Sequence, residues 1–136
     1  MKIFIICSKR FYSQIPPIQK SLKKLGHELT FPNTYPDTDT EDKYRVLSET
    51  DRALWKANMF RKSIELVNKN EAVLVLNFNK GEYKNYIGGA TFLEMYDAFR
   101  LNKKIFLFND IPEGILKDEI GGFCPTIIYG DLSRIK

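Results

Sequence analysis

Among the acidic residues, Glu94 has the most suggestive surroundings. In the stretch NYIGGATFLEM (residues 85–95), two adjacent glycines are followed by Thr91 and, three residues later, Glu94. This spacing supports two readings. T-x-x-E is a capping box, in which Thr91 and Glu94 would satisfy each other's backbone donors at a helix start. Alternatively, Glu94 projects from the first helical turn into a crevice. The helix N-terminus would then favour its ionised form and keep it available as a nucleophile. Gly88 and Gly89 allow close backbone approach to a ligand, because no Cβ intervenes. Successive N–H groups leading into a helix favour a phosphate, a carboxylate or a sugar oxygen. The stretch is neither G-x-G-x-x-G nor a P-loop, so Rossmann and ATPase readings lack support.

The other nucleophile candidates are weaker. Cys7 and Cys124 are far apart and lack metal-type spacing, so they read as free thiols of a reducing compartment, with no metal site. The only histidine, His27, follows the first helix at the opposite end from Cys7 and reads as an exposed turn residue. A helix rising about 1.5 Å per residue puts the two out of hydrogen-bond reach, so a Cys–His dyad is not expected.

The elements that must position these residues follow from pattern. KIFIIC (2–7) is a nearly continuous apolar run, as in a strand buried on both faces. Pro16 and Pro17 suit a first helical turn, Ile15, Ile18, Leu22 and Leu25 recur at helical spacing, and Gly26 stops the helix. ELTF (28–31) is a second short strand, followed by a polar, turn-rich excursion, TYPDTDTED (34–42). A helical pattern runs from about Glu41 to Lys69, long enough for two helices or a bent one, with Ala53, Ala57, Phe60, Ile64 and Val67 on one stripe. AVLVLNFN (72–79) is the third strand. TFLEMYDAFRLN (91–102) is a helix ending near Asn102, and KKIFLFN (103–109) and PTIIYG (125–130) are two further strands. Alternating strands and helices imply right-handed βαβ units. The expected fold is a flavodoxin-like α/β three-layer sandwich with a five-stranded parallel sheet in the order 2-1-3-4-5, one domain over residues 1–136.

Bulk properties agree with such a protein. The composition is 43% hydrophobic and 28% charged, that of an ordinary globular chain. No apolar run is long enough for a signal h-region or a membrane span, so a cytoplasmic protein without membrane partners is expected. Lys and Arg number 21 against 17 acidic residues, a net +4, but the basic residues are scattered without a stripe of interleaved aromatics. A nucleic-acid polymer is therefore not the expected partner, whereas a small anion fits.

In open α/β sheets, ligands bind beyond the C-terminal strand ends, where adjacent connections diverge. Here that point lies between the strand ending at Cys7 and the strand ending near Asn77. Three segments should border it: CSKRFYS (7–13), NFNKGEYKNYIGGATFLE (77–94) and FNDIPEG (108–114). The candidate binding residues are Cys7, Ser8, Lys9, Tyr12, Asn77, Asn79, Tyr86, Gly88, Gly89, Thr91 and Asn109, with Glu94 as the candidate catalytic carboxylate. The loop 80–90 is long for a strand-to-helix connection, and such loops are more often functional. Tyr83 and Tyr86 within it fit a subunit contact or stacking on a ligand.

EAVLVLNFN, the glycine-containing loop and FLEMYDAFRLNKKIFLF together resemble the nucleoside 2-deoxyribosyltransferase superfamily, which includes the 2'-deoxynucleoside 5'-phosphate N-hydrolases. KIFIICSKRFY is similar to that family's first strand and sugar-binding loop, so the likeness runs from Lys2 to about Ile111. The resemblance implies that Glu94 attacks C1' of a nucleoside or nucleoside 5'-monophosphate and expels the base, after which water or a second base resolves the glycosyl-enzyme. This is the retaining-glycosidase scheme. It also implies that residues 88–91 hold the sugar or 5'-phosphate, that Ser8 and Lys9 assist, and that Phe11, Tyr12 or Tyr86 stack on the base. No cofactor is implied, and a homodimer is expected. Ser63 and Asn77 stand where many members place a second acid, and Asp97 follows Glu94 by three residues. A non-catalytic nucleotide or nucleotide-sugar sensor on the same fold is the alternative. A third reading is a NAD-cleaving enzyme, since TIR-like domains share the sheet and a glutamate.

Overall fold

The computed structural model describes residues 1–37 and 39–136, without the side chain of Glu41. Thr38, inside the expected polar excursion, lies outside the described residues. The elements are β1 (Lys2–Ile6), α1 (Ile15–Lys24), β2 (Glu28–Thr30), α2 (Thr40–Arg45), α3 (Glu49–Lys69), β3 (Ala72–Val75), α4 (Gly89–Arg100), β4 (Lys104–Leu107), α5 (Lys117–Gly122) and β5 (Thr126–Ile127). Short 3-10 turns occupy Lys9–Gln14 and Leu132–Arg134. All strand pairs are parallel and the order is β2-β1-β3-β4-β5, as the apolar runs imply.

Alternation along the buried strands divides the core in two. Ile3, Ile5, Ala72 and Leu74 face α1 through Ile15, Ile18 and Leu22. Phe4, Ile6, Val73 and Val75 face Val67 of α3, Met95 and Ala98 of α4, and Ile120 of α5. The helices therefore cover both faces of the sheet, which a two-sided apolar strand requires.

The length of α3 decides where a cleft can form. Its 21 residues extend about 30 Å, whereas the four residues of β3 extend only about 13 Å. Because α3 ends just before β3 begins, its N-terminal half must stand beyond the C-terminal edge of the sheet. Burial follows: Val67 and Ser63 near the C-terminal end are buried, while Leu54, Phe60 and Ile64 remain exposed. The apolar stripe of α3 is thus core only near its C-terminal end.

Other departures are local. Ser48 caps α3 by accepting the Asp51 N–H at 3.2 Å, which separates it from α2. The third strand is shorter than its apolar run, because the chain leaves the ladder after Val75. Helix α5 was not expected, since KDEIGG is short and ends in two glycines. Asn102 adopts φ 55°, the left-handed conformation expected after α4.

Candidate active site

A cleft of about 920 Å³ opens at the C-terminal end of the sheet, between the continuations of β1 and β3. Its floor comes from Cys7, Ser8, Lys9 and Tyr12 after β1. One side is the glycine loop and the start of α4, from Gly88 through Thr91 to Glu94 and Asp97. The opposite wall is the overhanging half of α3, with Trp55, Lys56, Met59, Phe60 and Ser63. Asp42 and Arg45 of α2 also line it, and Lys9 crosses to Asp42 at 3.0 Å.

Helix α4 starts two residues before Thr91, with Gly88 at the N-cap and no side-chain cap. Glu94 therefore sits in the second turn, where its own N–H belongs to the helix ladder. The capping-box reading fails on that geometry: Thr91 is inside the helix and buried at 4% exposure. Glu94 is instead a cleft-lining carboxyl that remains partly accessible.

Its electrostatics also differ from expectation. Burial pushes the Glu94 carboxyl from its ordinary 4.5 up to about 8; the hydrogen-bonded Ser63 hydroxyl opposes this, the Asp97 charge adds to it, and Lys56 opposes it. The expected hold of the helix N-terminus on an ionised first-turn carboxylate does not apply, because Glu94 lies in the second turn and burial is the largest influence on it. Ser63 is in turn fixed by Asn33, whose amide donates to the Ser63 oxygen at 3.0 Å and to the Met59 carbonyl at 3.2 Å. Asn33, Ser63 and Glu94 thus form a chain of contacts from the loop after β2 through α3 to α4. Burial, and secondarily the Glu94 charge, pushes the Cys7 thiol up to about 12, so it is not a thiolate nucleophile.

Of the residues singled out from sequence, Glu94, Cys7, Ser8, Lys9, Tyr12, Tyr86, Gly88, Gly89 and Thr91 line this cleft. Asn77, Asn79 and Asn109 do not. Asn77 is fully buried: its amide donates to the Asn109 and Asp110 carbonyls, and its side-chain oxygen accepts the Asn109 N–H at 2.8 Å. Asn109 returns a bond to the Asn77 carbonyl at 3.1 Å. The pair clamps the loops after β3 and β4. Asn79 accepts the Asn85 N–H at 3.1 Å and shapes the glycine loop. The segment 108–114 likewise contributes nothing to the cleft lining.

Phe11, at 2% exposure, packs edge-on against Phe78 and is core. The Tyr12 hydroxyl bonds to Thr34 at 2.7 Å. Tyr86 carries Lys80 over its ring at 4.3 Å. His27 is half-buried, with Nδ1 3.1 Å from the N-terminal amine; burial and that nearby positive charge lower its pKa. It lies at the start of β1 and Cys7 at its end, so the dyad is excluded. The α3 wall was not singled out from sequence, where Phe60 belongs to an apolar helical stripe. The signal available was the helix length, twice what the adjoining strand can cover.

No protein-family model and no curated protein sequence matches this chain. Several solved structures share its fold, among them the following two. One is a 2-deoxyribosyltransferase from Bacillus psychrosaccharolyticus, 16% identical, with a TM-score of 0.56 over 85% of this chain and 77% of that one. The other is a CMP N-glycosidase from Clostridium botulinum, 12% identical, with a TM-score of 0.51 over 93% of this chain and 85% of that one. The chain is a flavodoxin-like α/β protein, and the resemblance noted in its sequence is met at the level of the fold.

Proposed function

We propose that this protein cleaves the N-glycosidic bond of a nucleoside or nucleoside 5'-monophosphate, by hydrolysis or base transfer, with Glu94 as the attacking carboxylate. The observation that carries this reading is the placement of Glu94: a desolvated carboxyl lining the cleft at the topological switch point, held by Ser63 and released from any capping role. The two fold neighbours, a 2-deoxyribosyltransferase and a CMP N-glycosidase, support the bond type. In this reading Glu94 attacks C1', the base departs with the bonding electron pair, and water or a second base displaces the ester. Gly88 and Gly89 receive the sugar or its phosphate, with Ser8 and Lys9 opposite.

The protein acts in the cytoplasm as a homodimer in this account. Phe60 and Ile64 of α3 and Leu93 and Tyr96 of α4 expose apolar surface within the cleft lining, and Phe99 exposes more on α4, so a second copy covering them would close over the cleft. The test of activity is base release from a panel of nucleosides and nucleoside monophosphates, followed by chromatography. Release by the wild type and its loss in Glu94→Ala are expected. Binding without turnover in both proteins would instead establish the sensor alternative.

A further inference from the structure

A second pocket of about 380 Å³ adjoins the cleft and shares Arg45, Trp55 and Lys56 with it. The Trp55 ring stacks on Tyr44 at 4.7 Å and 14°, and Lys56 Nζ lies 5.7 Å from its centroid, so the indole is held in place where the two spaces share a wall. Arg52 lines the second pocket and not the cleft. Among the described residues, Arg10, Arg45, Lys56 and Lys80 line the cleft without an ion pair, whereas Asp42 is paired with Lys9 and Asp97 with Arg100 at 3.2 Å. The cleft alone lies near the top of the roughly 300–1,000 Å³ range of small-molecule sites. Its lining thus joins several basic side chains to the Tyr44-stacked Trp55 that it shares with the second pocket.

The leaving group is the second consideration. With Glu94 as nucleophile, the other described carboxylates of the cleft, Asp42 and Asp97, are held as salt-bridge partners. Each of these carboxylates faces a basic side chain, and a leaving base that needs no proton suits such a site. A base that is quaternised at its glycosidic nitrogen needs no proton, because it departs as a neutral molecule.

Resting on the reading above, we propose that the preferred substrate is a pyrophosphate-linked dinucleotide with a pyridinium base at its cleavable end. The pyridinium nucleoside faces Glu94, the pyrophosphate lies along Arg45 and Lys56, and the second base reaches Trp55 and the adjoining pocket. The C1'–N bond breaks with its electron pair moving onto the pyridinium nitrogen, while a Glu94 oxygen bonds C1'. Water then adds to C1' and frees the carboxylate, and one proton is released per turnover. The cationic ring also favours the ionised form of Glu94 as it binds, which offsets the desolvation that keeps the carboxyl protonated in the empty cleft.

The experiment compares oxidised NAD, nicotinamide mononucleotide and CMP as substrates of the full-length protein, with chromatography for base release and a pH indicator for the proton. The expected result is a kcat/KM for NAD at least tenfold above that for nicotinamide mononucleotide, with one proton per nicotinamide. The NAD-to-mononucleotide ratio should fall toward one in Trp55→Ala and, separately, in Arg52→Ala, with circular dichroism confirming that each variant folds. Equal rates for the two pyridinium substrates, or an unchanged ratio in both variants, would overturn the dinucleotide assignment. Release from CMP without release from NAD would overturn it while leaving glycosidic cleavage intact. No release from any substrate would overturn both.

Discussion

Glu94 has a carboxyl whose environment works against its charge, and two measurable consequences follow. Its pKa in the folded protein, about 8, lies above the ordinary 4.5. Across that window the folded state holds a proton that the unfolded chain has given up, so this group's contribution to stability is present at low pH and is lost as pH rises toward 8. Glu94→Gln removes the penalty. Thermal melts should show the variant gaining about 3–6 °C at pH 9, the response to roughly 1–2 kcal/mol in a domain of this size, with little change at pH 5. Equal shifts at both pH values would contradict the assignment. Ser63 acts through Glu94, because its hydroxyl favours the carboxylate. Ser63→Ala should therefore move the alkaline-rising limb of the kcat/KM profile to higher pH, whereas a purely structural loss would lower the profile without moving it.

At the scale of elements, the glycine loop and α4 were legible in sequence, and the opposite wall was not. Gly88-Gly89 and the apolar pattern after them mark a loop entering a helix, but a two-residue shift of the helix start decides whether Glu94 caps or faces the cleft. Thr91 looks like an N-cap by type, yet Gly88 takes that place. Asparagines after strand ends look like ligand contacts, yet Asn77 and Asn109 spend their polar atoms on each other's loops, which buried polar groups must do. Gly88 matters for the cleft as well as for the backbone. A Cβ there would lie 3.3 Å from the Tyr86 hydroxyl and 3.6 Å from its ring. Gly88→Ala should cost less than about 1 kcal/mol, because the ring can swing, but the displaced Tyr86 should raise KM several-fold. An unaltered KM would remove Tyr86 from the substrate-facing wall.

Across the whole molecule, parallel strand order follows from apolar runs punctuated by Pro and Gly, whereas the shape of the cleft follows from a mismatch of lengths. Helix α3 is longer than the sheet it covers, and its overhang supplies Trp55, Lys56 and Phe60, which no local pattern separates from core. The same overhang, with α4, leaves Phe60, Ile64, Tyr96 and Phe99 exposed. Light scattering should give twice the 15.9 kDa chain mass, and Phe99→Glu should halve it; a monomeric wild type would remove the homodimer from the account. The nucleophilic role of Glu94 is tested most directly by base release from pH 5 to 9 in the wild type and in Glu94→Gln. The account predicts a wild-type kcat/KM that rises with pH toward a plateau above about 8 and a variant slower by on the order of 10³-fold throughout. A wild-type rate that instead falls through that pH, or a variant that keeps most of the activity, would show that this carboxylate is not the attacking group.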